Sequence, residues 1–161
     1  MSAHLRYLAL RARLERAIAE PAPLQVLSER LLGELYRGLP HYVVVAIFSV
    51  EESGLRPLAV KGVELENAVT MGEGIAAVAA GGTAPVFVTD VARDARGRPA
   101  RPEICAEIAV PVAVDRVPLL VVDVQTDRPN SLGPSDRQLL GWLAGALGAR
   151  LSQSAGDVAG R

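Results

Sequence analysis

The chain has 161 residues and a formal net charge of −1, and hydrophobic residues make up 50% of it. This length and composition predict one globular domain rather than a disordered chain, and the charge gives no reason to expect a nucleic-acid or membrane partner. A single cysteine excludes an internal disulfide and a multi-thiolate metal site, which fits a reducing cytoplasm. No stretch approaches the roughly 18 apolar residues of a membrane span.

Two helices are predicted at the start of the chain. Residues 2–19 carry apolar side chains at helical spacing, and Pro21 interrupts the pattern because proline lacks the backbone N–H and clashes with the preceding turn. A second helix begins at Leu24, where leucines recur along one stripe, and it ends at Gly38.

Two strands follow and predict an antiparallel hairpin. Residues 42–50 are apolar on both faces, which is typical of a central strand covered on both sides. Residues 55–61 contain Pro57, which favours a position at the edge of the sheet.

The middle of the chain is less regular. Met71 to Gly74 form a glycine turn into a short alanine-rich helix at 75–80, and a short strand follows at 85–88. Residues 93–103 have two prolines and no apolar periodicity, so they are predicted to form a loop. This loop contains four arginines: Arg93, Arg96, Arg98 and Arg101.

A second hairpin is predicted at 104–114 and 117–125, around a turn at Asp115 and Arg116. Glu107 and Asp123 are charged residues within these otherwise apolar strands. A turn at that place pairs residue 107 with 123 or 124, so the two carboxylates are predicted to be neighbours. If they are buried together, one must take up a proton or bind a cation, which indicates a pocket for an amine or an amino-acid-like ligand. The alternative is a solvent-facing strand edge or an ion pair with arginine.

The last helix is predicted to begin near Pro134, with the Asp136 carboxylate at the positive end of the helix dipole. Small residues follow along one predicted side of this helix: Gly141, Ala144, Gly145 and Gly148. With the N-terminal helix they predict a homodimer interface, the alternative being packing against the protein's own sheet.

Several of these segments together resemble the GAF domain, a sensory fold. The resemblance covers about residues 24–151 and depends on four segments in order: 71–75 (MGEGI), 88–91 (VTDV), 107–112 (EIAVPV) and 132–136 (LGPSD). It implies an α/β (α+β) fold with a central antiparallel sheet flanked by N- and C-terminal helices. The expected organisation is a helical extension at 1–23, a GAF-like domain at 24–152 and a flexible tail at 153–161.

The resemblance also implies a ligand pocket, with the arginine loop over its mouth. The arginines there would clamp an anionic ligand, the alternative being an exposed, solvated loop. The candidate ligand-binding residues are Glu107, Asp123, Gln125, Arg98 and Arg101. The chain is similar to one branch of the family, the free-methionine-(R)-sulfoxide reductases, which has carboxylates at the positions of Glu107 and Asp123. Gln125 stands where that branch has a further aspartate. Its three redox cysteines would fall near Glu66, Ala76 and Ala100, and none of these is cysteine here.

Cys105 is the only thiol, and three roles are open for it: a structural residue, a redox-sensitive thiol or a nucleophile. A catalytic cysteine needs a base or a positive field. The nearest candidate base, His41, lies at the start of a different predicted strand. Sulfoxide reduction further requires a second thiol to resolve the product.

The sequence therefore predicts a non-catalytic, cytoplasmic sensory or regulatory module for signal transduction. It would bind an unknown small molecule and act as a homodimer on a separate output protein, with no cofactor, metal, nucleic acid or membrane. The alternatives are a thiol-based redox sensor or reductase-like enzyme that uses Cys105, and a structural dimerisation module without a ligand.

Overall fold

The computed structural model describes residues 1–159. The helices are α1 (Ala3–Ala19), α2 (Leu24–Gly38), α3 (Leu65–Met71), α4 (Ile75–Ala80) and α5 (Pro134–Ala159), and a 3-10 turn spans Val91–Arg93. The strands are β1 (Val44–Glu51), β2 (Gly54–Lys61), β3 (Val86–Val88), β4 (Ala106–Val114) and β5 (Val117–Thr126).

The five strands form one antiparallel sheet in the order β2-β1-β5-β4-β3. The predicted α+β class is confirmed, and β2, which contains Pro57, lies at an edge as expected. The β4–β5 hairpin occupies the interior of the sheet, so its side chains are covered on both faces.

The two faces of the sheet carry separate apolar layers. The helix face is covered by α1, α2 and α5, where leucines such as Leu31, Leu140 and Leu147 are fully buried. The inner face is covered by α3, α4 and the segments around β3, and Phe48 and Met71 are fully buried in this layer. Each layer places apolar surface out of water, and this burial is the main force that holds the elements together.

The β4–β5 register differs by one residue from a regular hairpin. Asp115 and Arg116 form the expected two-residue turn, with φ of 51° and 66°, the left-handed conformation that this tight turn requires. Val112 pairs with Leu120 but Ala113 pairs with Pro118, so Leu119 is an extra, bulged residue. Glu107 consequently pairs with Gln125, and the predicted pairing with 123 or 124 is wrong.

Three further details depart from the expectations. Helix α3, with seven residues, was not foreseen. Ala144 and Gly148 do not share the exposed side of Gly141 and Gly145, because they face the sheet: a Cβ on Gly148 would lie 2.9 Å from the Ala113 carbonyl oxygen. The tail predicted at 153–161 begins within α5, which continues to Ala159, and the part beyond it lies outside the described residues.

A buried carboxylate connects the two terminal helices to β1. Asp136, at the start of α5, accepts hydrogen bonds through Oδ1 from the hydroxyls of Tyr7 and Tyr42, both at 2.7 Å. Nε2 of His41 lies 2.9 Å from the same oxygen, and Oδ2 accepts the backbone N–H of Gly133 at 2.8 Å. Burial alone would raise the pKa of Asp136, but these bonds outweigh it and lower the pKa. The carboxylate is therefore ionised and satisfied.

We predict that Asp136→Ala lowers the free energy of unfolding by about 3–5 kcal/mol at pH 7, since several donors lose a charged acceptor worth about 1.5 kcal/mol or more each. Because the folded-state pKa of Asp136 is lowered, its contribution is present above pH about 4 and is lost as the pH falls through the folded-state value. Urea unfolding at pH 7 and pH 3 checks this, with the exposed Asp127→Ala as the control. An equal loss at both pH values would contradict an ionised Asp136.

Candidate functional site

Three polar side chains lie together on the inner face of the β4–β5 hairpin. Glu107 is directly opposite Gln125, and Asp123 lies two residues before Gln125 on the same strand and the same face. Their exposed fractions are 1% for Glu107 and 0% for both Asp123 and Gln125. We call these three residues the polar floor.

The polar floor is surrounded by apolar side chains. Helix α4 packs over β4 and β5, and α3 packs beside it on β2. The buried members of this layer are Val44, Ala46, Phe48, Ala68, Met71, Ile75, Ala76, Ala79, Val88, Val91, Ala100, Ile104, Ala109 and Val121. A carboxylate in such surroundings loses its hydration without a compensating charge, which is costly.

Neither carboxyl group of the floor accepts a hydrogen bond from a donor group in the described part of the chain. Burial raises the pKa of Asp123 well above its ordinary value, and the neighbouring Glu107 charge raises it further. Burial also raises the pKa of Glu107, although the proximity of Asp123 and Gln125 partly opposes this. The two carboxyl groups are close enough for a hydrogen bond between them when one is protonated, and this contact lowers the pKa of Glu107 and raises that of Asp123.

The loop at 93–103 is attached to the polar floor at one point. The amide oxygen of Gln125 accepts the backbone N–H of Ala100 at 3.0 Å, while its Nε2 donates to none of the described residues. The glycine turn at 71–74 packs closely against the same loop, since a Cβ on Gly74 would lie 2.8 Å from the Arg98 backbone nitrogen. Only a residue without a side chain allows this close approach.

The two candidate arginines have different environments. Arg98 is exposed, and its guanidinium donates to the carbonyl oxygens of Ala95 and Gly97 within its own loop. Arg101 is half-buried and lies next to Ala100, with Nε 3.3 Å from a Glu103 carboxylate oxygen. Arg101 also lines a surface cleft of about 450 Å³ with Gly62, Val63, Glu64 and Asn67. Sequence reasoning missed these four residues, which carry no motif that could have revealed the cleft.

Cys105 is half-buried, immediately before β4. Its Sγ lies 3.5 Å from the carbonyl oxygen of Glu103 and 3.4 Å from that of Asp127. Neither contact is a base or a cation that would activate a thiol. His41, the candidate base, is instead bonded to Asp136.

Neither a metal-binding cluster nor a membrane-spanning helix is found among the described residues 1–159. No group of three or more His, Cys, Asp or Glu side chains in this range is placed to bind a metal ion. None of the helices in this range combines the length and the hydropathy that a bilayer span requires.

The sequence model of the GAF domain family matches residues 21–152, which is more than half of the chain. The chain belongs to the GAF domain family. The predicted resemblance is therefore confirmed, and the sheet with its flanking helices is the GAF fold. A search of curated proteins gave no match.

Several solved structures are similar to this GAF protein. A free methionine-R-sulfoxide reductase from Neisseria meningitidis, in complex with its substrate, has a TM-score of 0.82 at 19% identity, over 94% of this chain and 91% of that one. The GAF domain of a phosphoenolpyruvate-protein phosphotransferase from Coxiella burnetii has a TM-score of 0.81 at 15% identity, over 98% and 99% of the two chains. At these identities the similarity shows the shared fold alone.

We predict that Asp123→Asn stabilises the protein at pH 8. The folded state, in which the pKa of Asp123 is raised, holds more protons than the unfolded chain between pH about 4 and the raised value. The free energy of unfolding of the wild type therefore falls as the pH rises through this window. Asparagine does not titrate, so the variant keeps the stability that the wild type loses. This difference is about 1.4 kcal/mol for each unit by which the pKa of Asp123 is raised.

Urea unfolding between pH 4 and pH 8 measures this difference. Asp115→Asn, the same change at the exposed turn of the same hairpin, is the matched control, and we expect it to leave the pH dependence unchanged. An Asp123→Asn variant that is less stable than the wild type at pH 8 would contradict the prediction.

Proposed function

We propose that this GAF protein is a non-catalytic sensory or regulatory module, whose ligand is a small molecule with a cationic amine group. The single observation that carries the proposal is the pair of buried carboxyl groups, Glu107 and Asp123, without hydrogen-bond partners among the described residues. An ammonium group supplies both a positive charge and N–H donors, which are the two things that such a pair lacks.

The ligand would enter near Arg101, and because the cleft there is not lined by the buried floor residues, the loop at 93–103 would have to move to admit it. The cleft lined by Arg101 and the 62–67 segment opens beside the loop that Gln125 holds against the floor. Arg101 would contact an acidic group of the ligand, since a guanidinium pairs well with a carboxylate. A ligand with both an ammonium group for the floor and an acidic group for Arg101 is amino-acid-like. The Neisseria meningitidis reductase of the same fold was solved with its substrate, and free methionine sulfoxide is itself an amino acid.

The signal would pass through the sheet to the terminal helices. The floor lies on β4 and β5, and α5 packs on the opposite face of β4, where Gly148 approaches Ala113 closely. A ligand that favours one arrangement of the arginine loop and these strands would shift the population of α5 positions. Transfer of the signal to a separate output protein remains part of the proposal.

Dimerisation through α1 and α5 is the second part of the proposal. Leu5 and Leu8 of α1 are 53% and 48% exposed. On the exposed side of α5, a Cβ on Gly141 or Gly145 would meet no atom within 4 Å. Apolar side chains beside a small-residue surface favour close contact with a second copy.

The ligand is tested by thermal unfolding of the full chain in matched pairs of compounds. Methionine, methionine sulfoxide and simple primary amines are each compared with an analogue that lacks the amino group. At about 100 times Kd we expect an amine ligand to raise Tm by about 5–10 °C. Its deaminated analogue should give no rise, because it leaves the carboxyl pair without a cation.

Glu107→Gln and Asp123→Asn should each strongly reduce this ligand-induced rise, and Asp115→Asn should retain it. A deaminated analogue that stabilises the wild type as strongly as the amine would contradict the proposal. So would the absence of stabilisation by any amine, which is the outcome that a purely structural dimerisation module predicts.

A thiol-based activity at Cys105 is the remaining alternative, and we expect it to fail a direct test. Because the hydrogen bonds of Sγ within the described structure go to carbonyl oxygens, a thiol reagent at pH 7 should label Cys105 more slowly than it labels free glutathione. The protein supplied with methionine sulfoxide and a dithiol reductant should also form methionine no faster than Cys105→Ser. Faster labelling together with Cys105-dependent methionine formation would establish the reductase-like alternative instead.

A further inference from the structure

We propose that the polar floor takes up its cationic ligand in exchange for a proton, which the Glu107–Asp123 pair holds when no ligand is bound. This inference rests on the proposed function, and it adds a pH-dependent control of the same site. It begins from the arrangement of the floor and from the charges around it.

The first step is that no cationic side chain of the described residues forms an ion pair with the floor. The ion pairs of the nearby arginines lie elsewhere in the described structure, Arg96 on Asp94 and Arg101 on Glu103. A further charge that raises the pKa of Glu107 is that of Asp94, which is also negative. Helix α4 and the segment around Ala100, which pack on the floor, and the adjacent α3 contribute apolar side chains to the layer.

The second step is electrostatic. Two carboxylates next to each other in a poorly polarisable layer repel, and each has lost its hydration, so the pair is most stable with one proton. An ammonium group in the same place carries the same single charge as the proton but donates several hydrogen bonds, so it serves both carboxylates at once and lowers the pKa of the acid that holds the proton. The pair then ionises fully, and the proton passes to solvent. One positive charge enters and one leaves.

The third step assigns the proton to Asp123. The Gln125 amide oxygen is occupied by the Ala100 N–H, so its Nε2 is the free end of the amide, opposite Glu107 in the register. A neutral donor beside Glu107 stabilises the ionised form of that residue. Asp123 has no such neighbour and is fully buried. Gln125 thus acts as a positioning residue that separates the roles of two similar acids.

Isothermal titration of the full chain with methionine as the probe tests the exchange, in phosphate and in Tris at the same pH. The two buffers differ in their heat of protonation, so the difference in apparent binding heat gives the number of protons released. We expect about one proton per ligand near pH 7. The association constant should rise up to tenfold for each pH unit while Asp123 is protonated in the free protein.

Asp123→Asn separates the exchange from a merely structural role. We expect this variant to bind the probe more weakly and to lose the proton release, whereas Asp115→Asn should retain both. Binding to the wild type with no buffer dependence would overturn the exchange and leave the proposed function intact. Absence of binding by every amine tested is the failure of the proposed function.

A measurement without ligand decides the resting state independently. The infrared spectrum of the free protein at pH 7 should contain the carbonyl stretch of a protonated, buried carboxylic acid, and Asp123→Asn should lack that band. A wild-type spectrum with carboxylate bands only would overturn the inference, whether or not a probe binds.

Discussion

The register of the β4–β5 hairpin is the constraint on which the rest of this structure depends. Residues directly opposite each other in an antiparallel pair point to the same face, so a shift of one residue moves a side chain to the other side of the sheet. Without the bulge at Leu119, the turn at 115–116 would pair residue 107 with 124, and Glu107 would then face α5 among leucines. The bulge pairs it with Gln125 instead and brings it to the same face as Asp123.

Two buried aspartates show how differently this fold treats the same side chain. Asp136 accepts bonds from two tyrosines, a histidine and a backbone N–H, so its charge is stabilised where α1, β1 and α5 meet. Asp123 is equally buried but has no partner among the described residues. A satisfied carboxylate of the first kind stabilises the fold, whereas an unsatisfied one of the second kind is costly unless a proton or a ligand compensates it. The unsatisfied Asp123 therefore makes the inner face of the sheet the candidate location of the functional site.

The order of most elements and the two candidate carboxyl groups, Glu107 and Asp123, could be predicted from the sequence. The turn at Asp115 and Arg116, the edge position of Pro57 and the start of α5 all follow from local chemistry. The bulge could not be foreseen, because β4 and β5 are apolar on both faces and have no alternation that would set the register. The Asp136 contacts join residues more than 90 positions apart, and local patterns carry no such information. Ala144 and Gly148 were predicted on the wrong side of α5, because small residues are common on both the buried and the exposed sides of a helix.

The central claim is that the polar floor holds a small amine-bearing molecule. Native mass spectrometry of gently purified protein tests it most directly, with the wild type beside the Glu107→Gln, Asp123→Asn double variant. We expect the wild type to appear as a dimer with one added small-molecule mass per protomer, and the double variant as a dimer without it. A wild type with the bare mass of its chain after incubation with the amine panel, indistinguishable from the double variant, would contradict the claim.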